Sequence, residues 1–290
     1  MGIREAVRKM MKARPDCLVC FKLQAERTVR LLNVDGRKSA KILSHVRRFL
    51  SSVSLEATPP EIGAEVHHLI IQLSGVKDPY REVKRACVEQ ALKIYPELRR
   101  LVRSSGDRLL TAIKLAIAGN VIDFGADREF EGGIDLRSFL DQDLVINDYP
   151  ALRRALGRAQ NVLFLADNAG ESVFDRLLIE ELRRPVAYAV KAGPIINDAT
   201  REDAVRSGIR GMAQIVSSGS RMPGTLLRAC TARFRRLFQS ADLIISKGQG
   251  NYETLCGESA PLFFLLKAKC NVIARHLNVE PGSLVLLQKR

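Results

Sequence analysis

Four short stretches concentrate the side chains whose types could do chemistry. They are Ala118-Gly119-Asn120 with Asp123, Asp167-Asn168-Ala169-Gly170-Glu171, Asn197-Asp198-Ala199-Thr200, and Ser246-Lys247-Gly248-Gln249-Gly250-Asn251-Tyr252-Glu253. Three of them follow an apolar run, the place where an open parallel sheet delivers its reactive side chains. Asp167 and Asn168 come directly after Val162-Leu163-Phe164-Leu165-Ala166. A carboxylate and an amide carbonyl are hard oxygen ligands that suit Mg or Mn, with Co or Ni also admitted by geometry and availability. Ala169 and Gly170 permit close backbone approach at a helix N-terminus, where amide groups attract phosphate. The competing reading is structural: Asp167 caps the helix and Gly170 closes a turn.

A second run, Val186-Ala187-Tyr188-Ala189-Val190, leads through Lys191 to Asn197-Asp198-Ala199-Thr200. Alone, Asn-Asp before a helix reads as a cap. Its recurrence after a second strand lets Asp198 reach the crevice of Asp167 if the strands are neighbours. That would place two carboxylates and an amide oxygen around one divalent cation, with water in the remaining positions. After a further strand, Lys247 is placed to bind a phosphoryl oxygen as a point charge, and Gly248 and Gly250 permit a tight amide-lined loop. Ordinary turn chemistry is the alternative for that loop. No Walker motif is present, and the glycines are not in the register of a dinucleotide site.

The elements that must position these residues change character near residue 160. Before it, apolar residues recur at helical spacing, as in Ile42, Leu43, Val46, Phe49 and Leu50, then Ile62, Val66, Leu69 and Ile70. Pro59 and Pro60 suit the start of a helix from about Glu61, and Gly75 suits its end. Beyond Gln160 the runs are short and rich in Val, Ile and Leu: 162–166, 186–190, 215–216, 243–245, 262–266 and 284–287. Such runs predict strands buried on both faces, with helices at about 172–183, 201–207 and 224–238 as right-handed crossovers. The pattern divides the chain into a mainly helical region, 1–158, and an α/β domain with a doubly wound, mainly parallel sheet, 159–290.

Composition narrows the classes of function. With 290 residues and 46% hydrophobic content, the chain can bury a full core. Its apolar stretches are too short to span a bilayer, and residues 2–11 lack the apolar centre of a secretory signal, so a cytoplasmic location is expected. The net charge of +14 favours anionic partners. Because the basic residues are spread along the helices and there are five Tyr and no Trp, solvated helix surface is preferred over a nucleic-acid track. A basic nucleic-acid-binding protein without hydrolase activity stands as the alternative class. Of the six cysteines, Cys17 and Cys20 alone form a motif. It reads as unremarkable thiols, as a local metal or disulfide clasp, or as a redox couple.

Taken in order, the four stretches, including Lys191-x-x-Pro194-x-x-Asn197-Asp198-Ala199-Thr200, resemble the signature set of the damage-control phosphatase family, over residues 110 to 256. The Cys17-x-x-Cys20 pair resembles that of its prokaryotic subgroup. The resemblance implies a metal-dependent phosphatase with an N-terminal helical region packed on a Rossmann-like three-layer α/β/α domain. It implies that Asp167, Asn168 and Asp198 hold one divalent cation and that Lys247 binds the phosphate. Asn120 and Asp123 would line the same cleft from the helical region, with Gly170, Glu171, Asn197 and Asn251 as further substrate-binding residues. The implied substrates are small phosphorylated metabolites, either sugar phosphates or damaged phosphometabolites. Hydrolysis would proceed through activated water or through direct attack by Asp167.

Overall fold

The computed structural model describes residues 10–119 and 136–289. Helical periodicity in the first half becomes α1 (Pro15–Leu31), α2 (Gly36–Ser52), α3 (Pro59–Ser74), α4 (Arg81–Ser104) and α5 (Arg108–Gly119). Pro59 and Pro60 lie inside the first turn of α3, two residues earlier than the sequence suggests, because the missing N–H groups of proline cost nothing there. Thr58 and Glu61 close a capping box on that turn, and Gly75 ends the helix at φ 79°. No described helix is long and apolar enough to cross a membrane.

Next come the short α6 (Leu136–Asp141), β1 (Leu144–Asn147) and α7 (Tyr149–Arg158). The chain continues as β2 (Val162–Leu165), α8 (Glu171–Leu182), β3 (Val186–Val190), α9 (Arg201–Arg206) and β4 (Gln214–Ser217). It then forms α10 (Ala232–Ser240), β5 (Leu243–Lys247), α11 (Gln249–Leu255), β6 (Leu262–Lys267), α12 (Asn271–Leu277) and β7 (Leu284–Gln288). Two expectations are corrected. Leu144-Val145-Ile146-Asn147, in the stretch expected to be helical, forms an edge strand beside β7; a four-residue run carries too little period to separate strand from helix. The helix expected over 224–238 begins only at Ala232, capped by Thr231, whose side chain accepts the amide of Phe234.

The strands lie in the order β1-β7-β6-β5-β2-β3-β4, parallel except for the antiparallel pair β6 and β7. Alternate residues face two cores. Phe164, Tyr188, Ile245, Leu265 and Leu286 pack with apolar residues of α4, α5 and α8. Leu163, Leu165, Ile244, Phe264 and Val285 pack with those of α1, α2, α3 and α10 to α12. Burial on both faces is why these strands read as unbroken apolar runs rather than alternating ones. The result is a three-layer α/β/α fold in which the N-terminal helices cover both faces of the sheet. From β2 the chain proceeds to β3 and β4 on one side, then crosses to β5 and β6 on the other. The carboxyl ends of β2 and β5 therefore flank a topological switch point, where open α/β sheets form their crevices.

His67 on α3 marks how the helical layer meets the loop after β3. It is 3% exposed, and its Nε2 accepts the amide of Ile196 at 3.4 Å. Burial, aided by the nearby charges of His68 and Lys84, pushes its imidazole down to about 4. The folded chain holds His67 neutral while the unfolded chain protonates it near 6.5. Stability supplied by that difference is whole above pH 6.5 and is lost as pH falls toward 4. Urea unfolding should show wild type losing up to about 3 kcal/mol more than His67→Gln between pH 7 and 4.

Candidate active site

The loops after β2 and β3 are locked to each other before any side chain is considered. Ala199 N–H donates to Asp167 O at 2.8 Å, Ala169 N–H donates to Asn197 O at 2.9 Å, and Asn168 and Asp198 pair as an isolated antiparallel bridge. Adjacent parallel strands thus deliver Asp167, Asn168 and Asp198 to one place, as the sequence anticipated. Asn168 Nδ2 donates to Glu171 Oε1 at 2.6 Å, which leaves its carbonyl oxygen as the available ligand atom. Asp198 is 5% exposed. Its Oδ2 lies 3.4 Å from Lys191 Nζ, yet it is buried without a hydrogen-bond partner. Ile196, two residues earlier, holds φ 44°, a left-handed backbone that a β-branched residue adopts only under strain.

On the other side of the switch point, Lys247 at the end of β5 is fully enclosed. Its ammonium donates to Glu171 Oε2 at 3.0 Å and to Asp175 Oδ1 at 2.7 Å. Asp175 also accepts the Tyr188 hydroxyl at 2.7 Å. Glu171 and Asp175 are four residues apart on α8 and present both carboxylates on one face of the helix. Gly248 follows at φ 78°, and a Cβ there would stand 1.8 Å from Asp167 Oδ2. Only a glycine lets the loop backbone press against that carboxylate.

Asp167, Glu171, Asp175 and Asp198 face the two ammonium groups of Lys191 and Lys247. These carboxylates outnumber the buried ammonium groups, and the exposed Lys269 also acts on Asp167. Burial, together with repulsion from Glu171 and Asp198, holds the Asp167 carboxyl well above the usual carboxylate range. Burial likewise pushes Asp198 up to about 6 against the opposing pull of Lys191. Surplus buried negative charge, a carboxylate oxygen held by an ion pair without a hydrogen bond among the described residues, and an oriented amide oxygen make a donor set that fits a hard divalent ion. Among the described residues no three His, Cys, Asp or Glu side chains form a metal group, so the fit rests on two aspartates and the amide of Asn168.

A cavity of about 710 Å³ lies beside this cluster, walled by Phe21 of α1, Pro59 of α3, Ile196, Gln249, Glu253 and Lys269. Lys269 is exposed and its charge pulls on Asp167. Cys17 and Cys20 also border the cavity, but as free thiols. Neither is disulfide-bonded, and Cys17 Sγ instead accepts the Arg14 amide at 3.4 Å in the capping box of α1, so the pair forms no disulfide clasp.

Other expected site residues are redirected by burial. Lys247, expected to bind the phosphate, is bonded to two carboxylates. Asn251 is wholly buried: Nδ2 donates to Ala166 O at 3.0 Å and Lys247 O at 2.8 Å, and Oδ1 accepts the Thr225 hydroxyl at 2.7 Å. It ties the ends of β2 and β5 together. Glu171, 1% exposed, positions Asn168 and Lys247. Gly170 precedes α8, whose Ser172 and Val173 amides already turn back to Ala169 O at 3.2 Å and Gly170 O at 3.4 Å. Asn197 is half-buried with its carbonyl committed to Ala169. Gly119 ends α5 where a Cβ would stand 2.9 Å from the Phe174 ring, whereas Asn120 and Asp123 lie outside the described residues. Asp175 and Lys191 were missed as site residues. The four-residue spacing from Glu171 and the position of Lys191 at a strand end were the signals that could have found them.

Comparison with known proteins places the chain in a family. Residues 13–285 match the family model of the damage-control phosphatase ARMT1-like domain. The damage-control phosphatase PH1575 of Pyrococcus horikoshii is 36% identical, covering 97% of this chain and 99% of its own length. A damage-control phosphatase of Archaeoglobus fulgidus is 31% identical over 95% of this chain and 98% of its own. The crystal structure of the Pyrococcus horikoshii protein, described as a DUF89 family member, superposes with a TM-score of 0.89 at 35% identity, covering 97% of this chain and all of that one. The chain belongs to the damage-control phosphatase ARMT1-like family.

Proposed function

We propose that this protein is a metal-dependent phosphatase that hydrolyses phosphate monoesters of small metabolites, sugar phosphates or damaged phosphometabolites. The observation that carries the reading is the buried Asp198 carboxylate, whose Oδ2 has the 3.4 Å ion pair to Lys191 but no hydrogen bond among the described residues, held beside Asp167 and Asn168 at the switch point. The family membership and its named phosphatases support it. Asp167, Asn168 and Asp198 would hold the cation, Mg, Mn, Co or Ni. When bound there, such an ion supplies Lewis-acid polarisation of a phosphoryl oxygen and lowers the pKa of a bound water.

The chain's own residues supply the rest of the proposal. Glu171 fixes the amide of Asn168, and Lys247 offsets the charge of Glu171 and Asp175 from behind the ligand set. In this arrangement Lys247 acts on the phosphate through its field, and Lys269 is the exposed cation on the cavity wall. The adjoining cavity, within the ~300–1,000 Å³ range of small-molecule sites, would take the organic part of the ester. Water activated at the site is the proposed nucleophile. An aspartyl-phosphate on Asp167, trapped and weighed by mass spectrometry, would replace that route with direct carboxylate attack.

The central test is phosphate release from a panel of phosphomonoesters and metals, with and without chelator. Asp198→Ala should lower kcat by at least about a hundredfold, the scale of removing a main electrostatic element. Release that is equal in variant and wild type and unaffected by chelation would overturn the proposal. A second expectation concerns the β5 loop. Gly248→Ala places a methyl on the Asp167 carboxylate and forces alanine into left-handed backbone, so it should cost at least about 1–2 kcal/mol in denaturant unfolding. The same variant should also weaken divalent-ion binding in calorimetry, and unchanged affinity would separate the loop from the ligand set.

A further inference from the structure

At the opposite end of α8 from Glu171, a second cavity of about 490 Å³ opens between α4, α5 and α8. Five arginines line it, Arg99, Arg103, Arg108, Arg176 and Arg183, against Glu180 and Glu181. Glu180 is already committed, accepting the Tyr95 hydroxyl at 2.7 Å and Arg99 Nε at 3.0 Å. Arg176 lies over the Tyr95 ring at 3.9 Å and donates from Nη1 to Ser207 O at 3.0 Å, but its Nε is buried with no hydrogen-bond partner. Arg103, Arg108 and Arg183 are exposed and form no ion pair among the described residues.

Helix dipoles account for only part of this cluster. Arg103 and Arg183 stand at the C-terminal ends of α4 and α8, where a cation is favoured. Arg108 opens α5, where the positive end of the dipole disfavours it. With it, the wall carries a surplus of three positive charges. Guanidinium forks lining one open cleft match an oxyanion with several acceptor oxygens. A nucleic-acid strand would want a track of charges with aromatic platforms, whereas here the Tyr95 ring is covered by Arg176.

We propose that this cavity binds a small, multiply charged oxyanion, a polyphosphate or polycarboxylate, at a site separate from the candidate active site. Along α8 its lining residues, Arg176 to Arg183, lie roughly 8 to 18 Å from Glu171. The test is calorimetry on the full chain after chelator treatment at about 0.15 M salt, which suppresses diffuse ion-atmosphere binding. Inorganic pyrophosphate is the probe, with citrate to distinguish phosphate from carboxylate oxygens. One saturable site should appear in wild type and persist in Asp198→Ala. It should weaken by about tenfold or more in Arg103→Gln/Arg183→Gln, with the melting temperature of the anion-free protein unchanged. If that double variant does not fold, Arg108→Gln alone should show the same direction of change. Equal binding in wild type and variants, no saturation in the millimolar range, or tighter binding of an oligonucleotide through the same arginines would overturn the proposal.

Discussion

The enclosed ammonium of Lys247, bonded to Glu171 and Asp175, is the interaction on which the site depends. An unpaired charge in that interior would be prohibitive, and two charge-assisted hydrogen bonds offset its desolvation. The pairing fixes the end of β5 against the first turns of α8, and Glu171 then spends its other oxygen on Asn168. Tyr188 donates to Asp175, and Asn251 donates to the carbonyls of Ala166 and Lys247 at the strand ends. A buried network of this kind stays rigid only while its members are paired, so the donor atoms of the proposed cation site are held by charges that lie behind it.

Around that anchor the fold concentrates constraints that a passive core would avoid. Ile196 takes a left-handed backbone, Gly248 brings its Cα against a carboxylate, and Asp198 keeps a buried oxygen without a hydrogen bond. Each is costly alone, and together they surround one crevice at the switch point of the sheet. Strain and surplus negative charge persist where the surrounding packing over-determines them, and a cation would offset the electrostatic part. The covering layers matter here as well, since α3 reaches the β3 loop through His67 and α1 walls the adjoining cavity.

Much of this was legible in the chain. Apolar runs of Val, Ile and Leu with no alternation required strands buried on both faces, hence a layered α/β fold, and the runs from 162 to 288 became strands close to where expected. Prolines at 59 and 60 and Gly75 marked helix ends because their backbone chemistry is local. The edge strand 144–147 was hidden, since four residues of mixed polarity do not reveal a period, and its partner β7 lies at the far end of the sequence.

By itself the sequence determined which residues follow the strands and that their oxygens suit a hard cation, because residue type and strand-end position are local properties. Only the tertiary structure decided which of them meet. The order of strands makes β2 the neighbour of both β3 and β5, which brings Asp198 to Asn168 and the Lys247–Gly248 loop to Asp167. Burial then separated the roles. Lys247 and Asn251, equivalent in sequence to ligand-facing residues, are turned inward by Glu171, Asp175 and the strand carbonyls, because an enclosed polar group takes whichever partner the packing places within hydrogen-bond reach.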